Sequence, residues 1–375
     1  AREAYKALRK TYDGVTEQVW AGEAFALAAT GADLSNYTNN LYAYNDYYST
    51  GVSDEPQDRE AAMLLDALAL GTDIGNYSII GNGTPQNVDL VAHLLGGQQS
   101  NGQIKISGIY SNAATDPMFF IALDMFFGGG QAWGNEVDGT KLGRNGNIDY
   151  LLSCLVDYNG GGKTFGKVSY DRYVYCGTAS FVLAMSRLVD DPVYGEQAKE
   201  AMTDALQAME NLYSAGKITR VRDAAYYVSA FVAGADVSDS KINEIRYLNL
   251  ATEIVEDLIL PSVATDGRFS EKINAVTVAG TDEASVAVMM ALRDYLTESS
   301  YYTTYNYDMP ANMAVEKDLA QISFANPVLG DLTLPSVGKY GSAITWESSY
   351  KTAIDPVTGK VNRGVADAEV TLTAT

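Results

Sequence analysis

Six stretches of the chain are apolar almost all the way round a helix: residues 17–32, 58–73, 116–130, 171–190, 223–236 and 282–297. Each opens on an acidic residue, and their starts lie roughly 40 to 60 residues apart. A helix without a polar face is one buried on both sides. More amphipathic helical patterns follow most copies, at 87–96, 147–158, 196–213 and 247–260. Several of these run into Gly-containing turns and a short extended piece, at 98–104, 157–165, 214–218 and 265–269. The repeating unit is therefore an inner helix, an outer helix and a turn. Six such hairpins have a closed arrangement, a parallel inner ring surrounded by an outer one, in which every apolar face is covered. After residue 314 the period changes to 2, with short strands predicted at 319–325, 330–335, 342–350 and 368–374 and a turn at 355–361. The chain thus reads as two domains, 1–312 helical and 313–375 a small β-sandwich.

Some residues in this frame resemble known families. The Trp20-Ala21 pair, the Ala-Leu-Ala-Leu-Gly run at 67–71 and the turn from Gln98-Gln99 to Gly102, which resembles a degenerate Gln-Trp motif, are similar to terpenoid cyclase/prenyltransferase-type α/α toroids over about residues 5–310. That resemblance implies an α6/α6 toroid but no particular chemistry, because the fold hosts unrelated activities. The runs Leu334-Pro335, Ile344 to Ser349, Gly359-Lys360-Val361 and Thr371-Leu372-Thr373 resemble the atrophied bacterial immunoglobulin-like domain, with Trp346 expected in its core. This second resemblance implies a spacer of multidomain exported surface proteins, often beside carbohydrate-active modules. The expected fold class is multidomain α and β: an α6/α6 toroid followed by an immunoglobulin-like β-sandwich.

The toroid families' chemistry is missing from the sequence. No Asp-x-Asp-Asp cluster is present, and Tyr175-Cys176-Gly177-Thr178-Ala179 lacks the Gln that a thioester requires. The single His, His93, lies on an expected outer helix among Leu residues, away from any zinc set. Cys154 and Cys176, 22 residues apart, match no metal spacing and read as two buried thiols or, less directly, a disulfide. Asn- and Asp-rich turns at 138–149 and 157–162 fit no defined Ca²⁺ loop. No metal and no cofactor is expected.

Acidic residues outnumber basic ones 47 to 26, for a net charge of −21. Such a charge repels nucleic acid and anionic membranes. No apolar run reaches the length that crosses a bilayer. The opening Ala1-Arg2-Glu3, without Met, reads as a mature or trimmed N-terminus. Acidity with few Cys suits an extracellular or cell-wall-associated protein of a Gram-positive-type bacterium, with further domains of the same protein as neighbours. The imbalance is concentrated: residues 313–375 carry 5 basic and 7 acidic side chains, so the helical part holds almost all the excess.

In a parallel ring all inner helices begin at one mouth. The acids there, Glu17, Asp58, Asp116, Asp171, Asp223 and Asp282, either cap their helices or form a ring of carboxylates around a pocket. In the second case two of the five aspartates act as acid and base on a sugar. Arg59, Arg172 and Arg222 stand next to three of these acids, to pair with them or to receive an anionic group. Tyr makes up 26 of 375 residues, over twice the usual share of roughly 3%, and Tyr suits wet pockets that stack on sugars. The expected ligand-binding set is Glu17, Trp20, Arg59, Arg172, Tyr173, Arg222 and Tyr226. The expected function is non-catalytic binding of a carbohydrate or other small polar ligand. The alternatives are a polysaccharide-processing enzyme of glycosidase or lyase type, and a purely structural surface module.

Overall fold

The computed structural model describes residues 1–12, 22–37, 59–71, 74–81, 84–105, 115–137, 139–166, 174–275, 279–307, 314–315, 318–319, 322–338, 342–364 and 367–375. They fall into two compact units, Ala1–Tyr307 and Asp308–Thr375. No helix among the described residues is long and apolar enough to cross a membrane.

The first unit is mostly helical. Its apolar helices are α2 (Glu23–Ala29), α3 (Arg59–Leu70), α5 (Thr115–Phe126), α7 (Val174–Ser186), α9 (Val221–Asp236) and α11 (Asp282–Thr297). Each packs on the next, and α11 packs back on α2. Their sequence explains this: Val174 and every residue from Cys176 to Ser186 of α7 are buried, as are Val221–Ala225 and Tyr227–Ala235 of α9. Such helices have no face for water and must be surrounded. The more polar helices lie against them. The helix α1 (Arg2–Thr11), which the sequence pattern did not predict, packs on α11, and α4 (Leu90–Gly96) packs on α3. Similarly α6 (Gly143–Ser153) rests on α5, α8 (Gly195–Ser214) on α7, and α10 (Lys241–Ile254) on α9.

Two predicted outer helices are shorter than expected. Strand β1 (Tyr77–Gly81) pairs antiparallel with β2 (Thr84–Val88), which takes the start of the 87–96 helix. Strand β3 (Leu155–Asp157) pairs with β4 (Lys163–Phe165) and takes the end of the 147–158 helix. The Gly turns return the chain as anticipated, with single bridges Gln98 to Ile104 and Val263 to Phe269.

The turn at Gln98 is fastened to α6 by one side chain. The Gln98 Nε2 donates to the carbonyls of Gly102 (3.2 Å) and Gly143 (2.9 Å), while Oε1 accepts the Gly143 amide (2.7 Å) and Asn135 Nδ2 (2.7 Å). Gly102 has φ +95°, and a Cβ there would lie 2.0 Å from the Gly146 carbonyl oxygen. Gly102→Ala is therefore expected to destabilise the unit by more than about 1 kcal/mol, read as a lower urea midpoint at unchanged m-value.

One end of the apolar helices is crossed by the chain on its way out of the unit. Ser299 Oγ donates to Asp236 at the end of α9 (3.2 Å), and the Tyr301 amide to Asp294 in α11 (3.0 Å). Thr303 meets Ser186 of α7 (2.7 Å), and the Tyr307 amide donates to the Met125 carbonyl of α5 (2.9 Å). Beneath them lies a buried ion network. Arg144 Nε and Arg187 Nε donate to the two oxygens of Asp124 (2.9 and 2.7 Å), and Arg144 Nη1 reaches Asp191 (2.7 Å). Arg187 also donates through Nη1 to the carbonyls of Tyr302 (2.8 Å) and Tyr305 (2.9 Å), and through Nη2 to Asn306 (2.6 Å). The C-terminal ends of α5, α7, α9 and α11 thus share one side.

In the second unit β5 (Trp346–Ser348) pairs antiparallel with β6 (Leu372–Ala374). Bridges join Val337 to Ala343 and Ile354 to Val361. The expected strands at 319–325 and 330–335 form no regular ladder over their described residues. Ile344 and Ile354 are buried, but Trp346 is half-buried, which corrects the expectation of a core residue. Its Nε1 donates to the Pro335 carbonyl (2.8 Å) and its ring meets Phe324 at 5.6 Å. A unit of this size buries a smaller share of its surface than a large domain does, and a side chain as large as Trp is rarely enclosed completely.

Candidate functional site

The opposite side of the helical unit gathers the N-terminal ends. Arg222 of α9 pairs with Glu283 of α11, which places those two ends together. The Tyr175 hydroxyl at the start of α7 has its pKa raised first by burial and then by the charge of Asp223 in α9, so a third end is adjacent. The first apolar helix departs from this pattern. Asp66, far along α3, accepts the amides of Gly22 (2.7 Å) and Phe25 (3.0 Å), so α2 begins level with the later part of α3. Phe25 accordingly packs on Tyr301 and Tyr305 of the crossing segment at 5.1 and 5.6 Å.

The acids at these ends differ in their surroundings. Asp223 is 1% exposed and receives a bidentate bond from Arg220, Nε to Oδ2 at 3.0 Å and Nη2 to Oδ1 at 2.8 Å. Arg222, the expected partner by adjacency, turns instead to Glu283. Asp282 is the first residue of α11 but does not cap it, since Thr281 Oγ1 accepts the Ala284 amide. Its carboxylate accepts Tyr12 Oη (2.8 Å) and Arg268 Nη1 (3.2 Å). Burial and the Asp282 charge push the Tyr12 hydroxyl above its ordinary pKa.

Asp116 has neutral partners. It is the second residue of α5 and 2% exposed, and its Oδ2 accepts Tyr150 Oη (3.0 Å) and Gln103 Nε2 (3.3 Å). Among the described residues its Oδ1 is buried with no hydrogen-bond partner. Burial outweighs the two hydrogen bonds and pushes the carboxyl up to about 7. Half-buried Cys154 lies next to Tyr150, and burial raises its thiol pKa. Cys154 and Cys176 are not joined in a disulfide.

Among the sequence-predicted residues, the structure brings Arg222, Asp223, Asp282 and half-buried Tyr226 to neighbouring helix starts, with Asp116 at the start of α5. Glu17, Trp20, Asp58, Asp171, Arg172 and Tyr173 lie outside the described residues, as does the side chain of Arg59, which opens α3. Sequence reasoning missed Arg220, Arg268, Tyr12, Tyr150 and Gln103. Arg220 carried a signal, its i,i+3 spacing from Asp223, whereas Tyr12 stands 270 positions from its partner. His93 sits in the last turn of α4, half-buried, with its pKa lowered by burial. No group of three or more His, Cys, Asp or Glu among the described residues is placed to hold a metal ion.

In the second unit the fold and the residue pattern converge on one comparison. Residues 311–375 match the atrophied bacterial Ig domain. No curated protein and no solved structure matches the chain. The half-buried Trp346 and, among the described residues, one short ladder are thus features of this Ig domain.

Proposed function

We propose that the protein is an exported bacterial cell-surface protein whose helical unit is an α6/α6 toroid of the terpenoid cyclase/prenyltransferase type, binding a carbohydrate at its acidic, Tyr-rich mouth without catalysis. The neighbour order of the six apolar helices, which returns from α11 to α2, supports the ring. The Gln98 staple, at the place of the degenerate Gln-Trp motif, supports the family. Bacterial Ig-like domains typically occur in surface or extracellular proteins, which supports export.

The observation that carries the binding reading is the pairing of the acids. Asp223, Glu283 and Asp282 are each engaged by an arginine. A carboxylate already engaged by a guanidinium is poorly placed to hand a proton to a substrate. Half-buried Tyr175 and Tyr226 stand beside them with ring faces suited to sugars. On this reading a glycan array yields a hit with neutral glycans, Tyr226→Ala and Tyr175→Ala each weaken it at least about tenfold, and no new reducing ends appear on incubation. Released sugar, or the absence of any glycan hit, rejects it.

Asp116 favours the enzyme reading. A buried carboxyl that keeps its proton near neutrality has the property of a general acid. If turnover of a polysaccharide is found and Asp116→Asn abolishes it in a folded protein, the toroid is an enzyme with Asp116 as its acid.

A further inference from the structure

The turn between α11 and the crossing segment hangs on one buried carboxyl. Asp294, in the last turn of α11, is fully buried. Its Oδ1 accepts the Tyr301 amide (3.0 Å) and Arg293 Nη1 (2.9 Å). The same Nη1 donates to the Ser299 carbonyl (2.7 Å), and the guanidinium lies over the Tyr301 ring at 5.0 Å. Two polar atoms at this turn are less well served. Among the described residues, Asp294 Oδ2 and the Ser300 hydroxyl are buried without a hydrogen bond. Glu298, between them in the chain, has φ +51°, a left-handed conformation unfavourable to any residue with a Cβ.

We propose that residues 298–301 form a pH-responsive latch, shut while Asp294 carries its proton and loosened when Asp294 ionises, with Arg187 keeping residues 302–306 in place. An ionised carboxylate with one oxygen unserved and no water is costly. Lifting the turn hydrates Asp294 Oδ2 and the Ser300 hydroxyl and releases the backbone of Glu298. Burial pushes Asp294 up to about 6, outweighing the Tyr301 amide, Arg293 and Ser229, which pull it down. The shut turn thus holds the proton more tightly than an open turn whose carboxyl titrates at the ordinary 3.8, so opening is favoured as pH rises from about 4 to about 6. The guanidinium groups of Arg187 and Arg293 do not titrate. Tyr5 of α1 and Tyr301 have their phenols raised above 10, first by burial, and stay neutral. From α9 come Ser229 and Asp236, the latter accepting the Ser299 hydroxyl (3.2 Å). Contact with α10 runs through Thr252 and Tyr295 (3.3 Å), and the charged residue of α2, Glu23, accepts the Tyr37 hydroxyl (2.8 Å). Glu298 is exposed. The latch does not depend on what the opposite side of the unit binds.

The test is amide hydrogen exchange by NMR on the full chain from pH 4.5 to 8, with each rate compared with the unfolded chain at the same pH. The Tyr301 amide is expected to lose at least about tenfold of its protection, falling until about pH 6 and then levelling off. The Tyr307 amide, bonded to the Met125 carbonyl, is expected to keep its protection. Asp294→Asn retains an acceptor for Tyr301 and is expected to make its protection flat with pH, whereas Asp236→Asn and Glu298→Gln are expected to leave the wild-type profile. Should Asp294→Asn fail to fold, the wild-type chain decides, because the Asp294 carboxyl carbon must titrate near the pH at which the Tyr301 profile levels off. Flat Tyr301 protection in wild type, parallel loss at Tyr307, a wild-type profile in Asp294→Asn, a flat one in either other variant, or an ordinary Asp294 midpoint overturns the proposal.

Discussion

Arg187→Ala is expected to destabilise the helical unit by about 3–5 kcal/mol, measured by urea unfolding. Its side chain is 2% exposed and satisfies five groups at once: Asp124, the carbonyls of Tyr302, Thr303 and Tyr305, and Asn306. Without the guanidinium, Asp124 keeps one cation where it had two, and the carbonyls lose their donor in a place that water does not reach. Arg187→Lys is expected to recover only part of the loss, because an ammonium cannot spread its donors across a carboxylate and three carbonyls in a planar fork. A loss below about 1 kcal/mol, typical of exposed ion pairs, would show that the network is dispensable.

The second large effect depends on pH. Asp116 holds its proton up to about 7 in the folded protein, against an ordinary value of 3.8. Between those values the folded state binds a proton that the unfolded chain releases, so the contribution of this group falls as pH rises. It is complete below about 4 and lost above about 7. Asp116→Asn removes the ionisation and keeps the shape. Wild type and variant are therefore expected to match closely near pH 4, and the variant to be more stable at pH 8 by as much as about 4 kcal/mol. The measurement is the difference between their unfolding free energies across that range, which cancels the general repulsion of an acidic chain. A difference that is flat with pH would mean that Asp116 ionises normally.

Both effects arise at residues that the sequence pattern left unmarked or marked for another reason. The apolar helices were legible because burial on all sides leaves a signature that no amphipathic helix has, and α5, α7, α9 and α11 appear within a few residues of their expected bounds. The acids at their starts were equally visible, but their roles were not. Asp223, Asp282 and Asp116 share a position at a helix start, and only their neighbours distinguish them: a guanidinium for the first, a phenol and a guanidinium for the second, neutral donors for the third. Apart from Arg220, three residues before Asp223, those neighbours come from other elements of the chain, so no local pattern reports them. Asp124 and Arg187 lie at the ends of α5 and α7, and their network exists only where those helix ends meet. The β1 and β2 pair did carry a signal, the Asn82-Gly83 dipeptide between two extended stretches, which the helical pattern starting at Asn87 obscured. Trp346, expected in the core, is only half-enclosed by so small a domain.

The route by which the chain leaves the helical unit decides where tension on the chain would first be felt. The covalent path to the Ig domain starts at Tyr307, whose amide is bonded to the Met125 carbonyl and whose ring stacks on Phe126 at 6.0 Å. Tension applied through the Ig domain therefore reaches α5 before it reaches α11, the helix that precedes the exit in sequence. Behind that first contact the Arg187 clamp divides the pull among α5, the end of α7 and residues 302–306. A rupture at this end breaks the Arg187 bonds to Asp124, to the carbonyls of Tyr302 and Tyr305 and to Asn306 together rather than peeling one helix from its end.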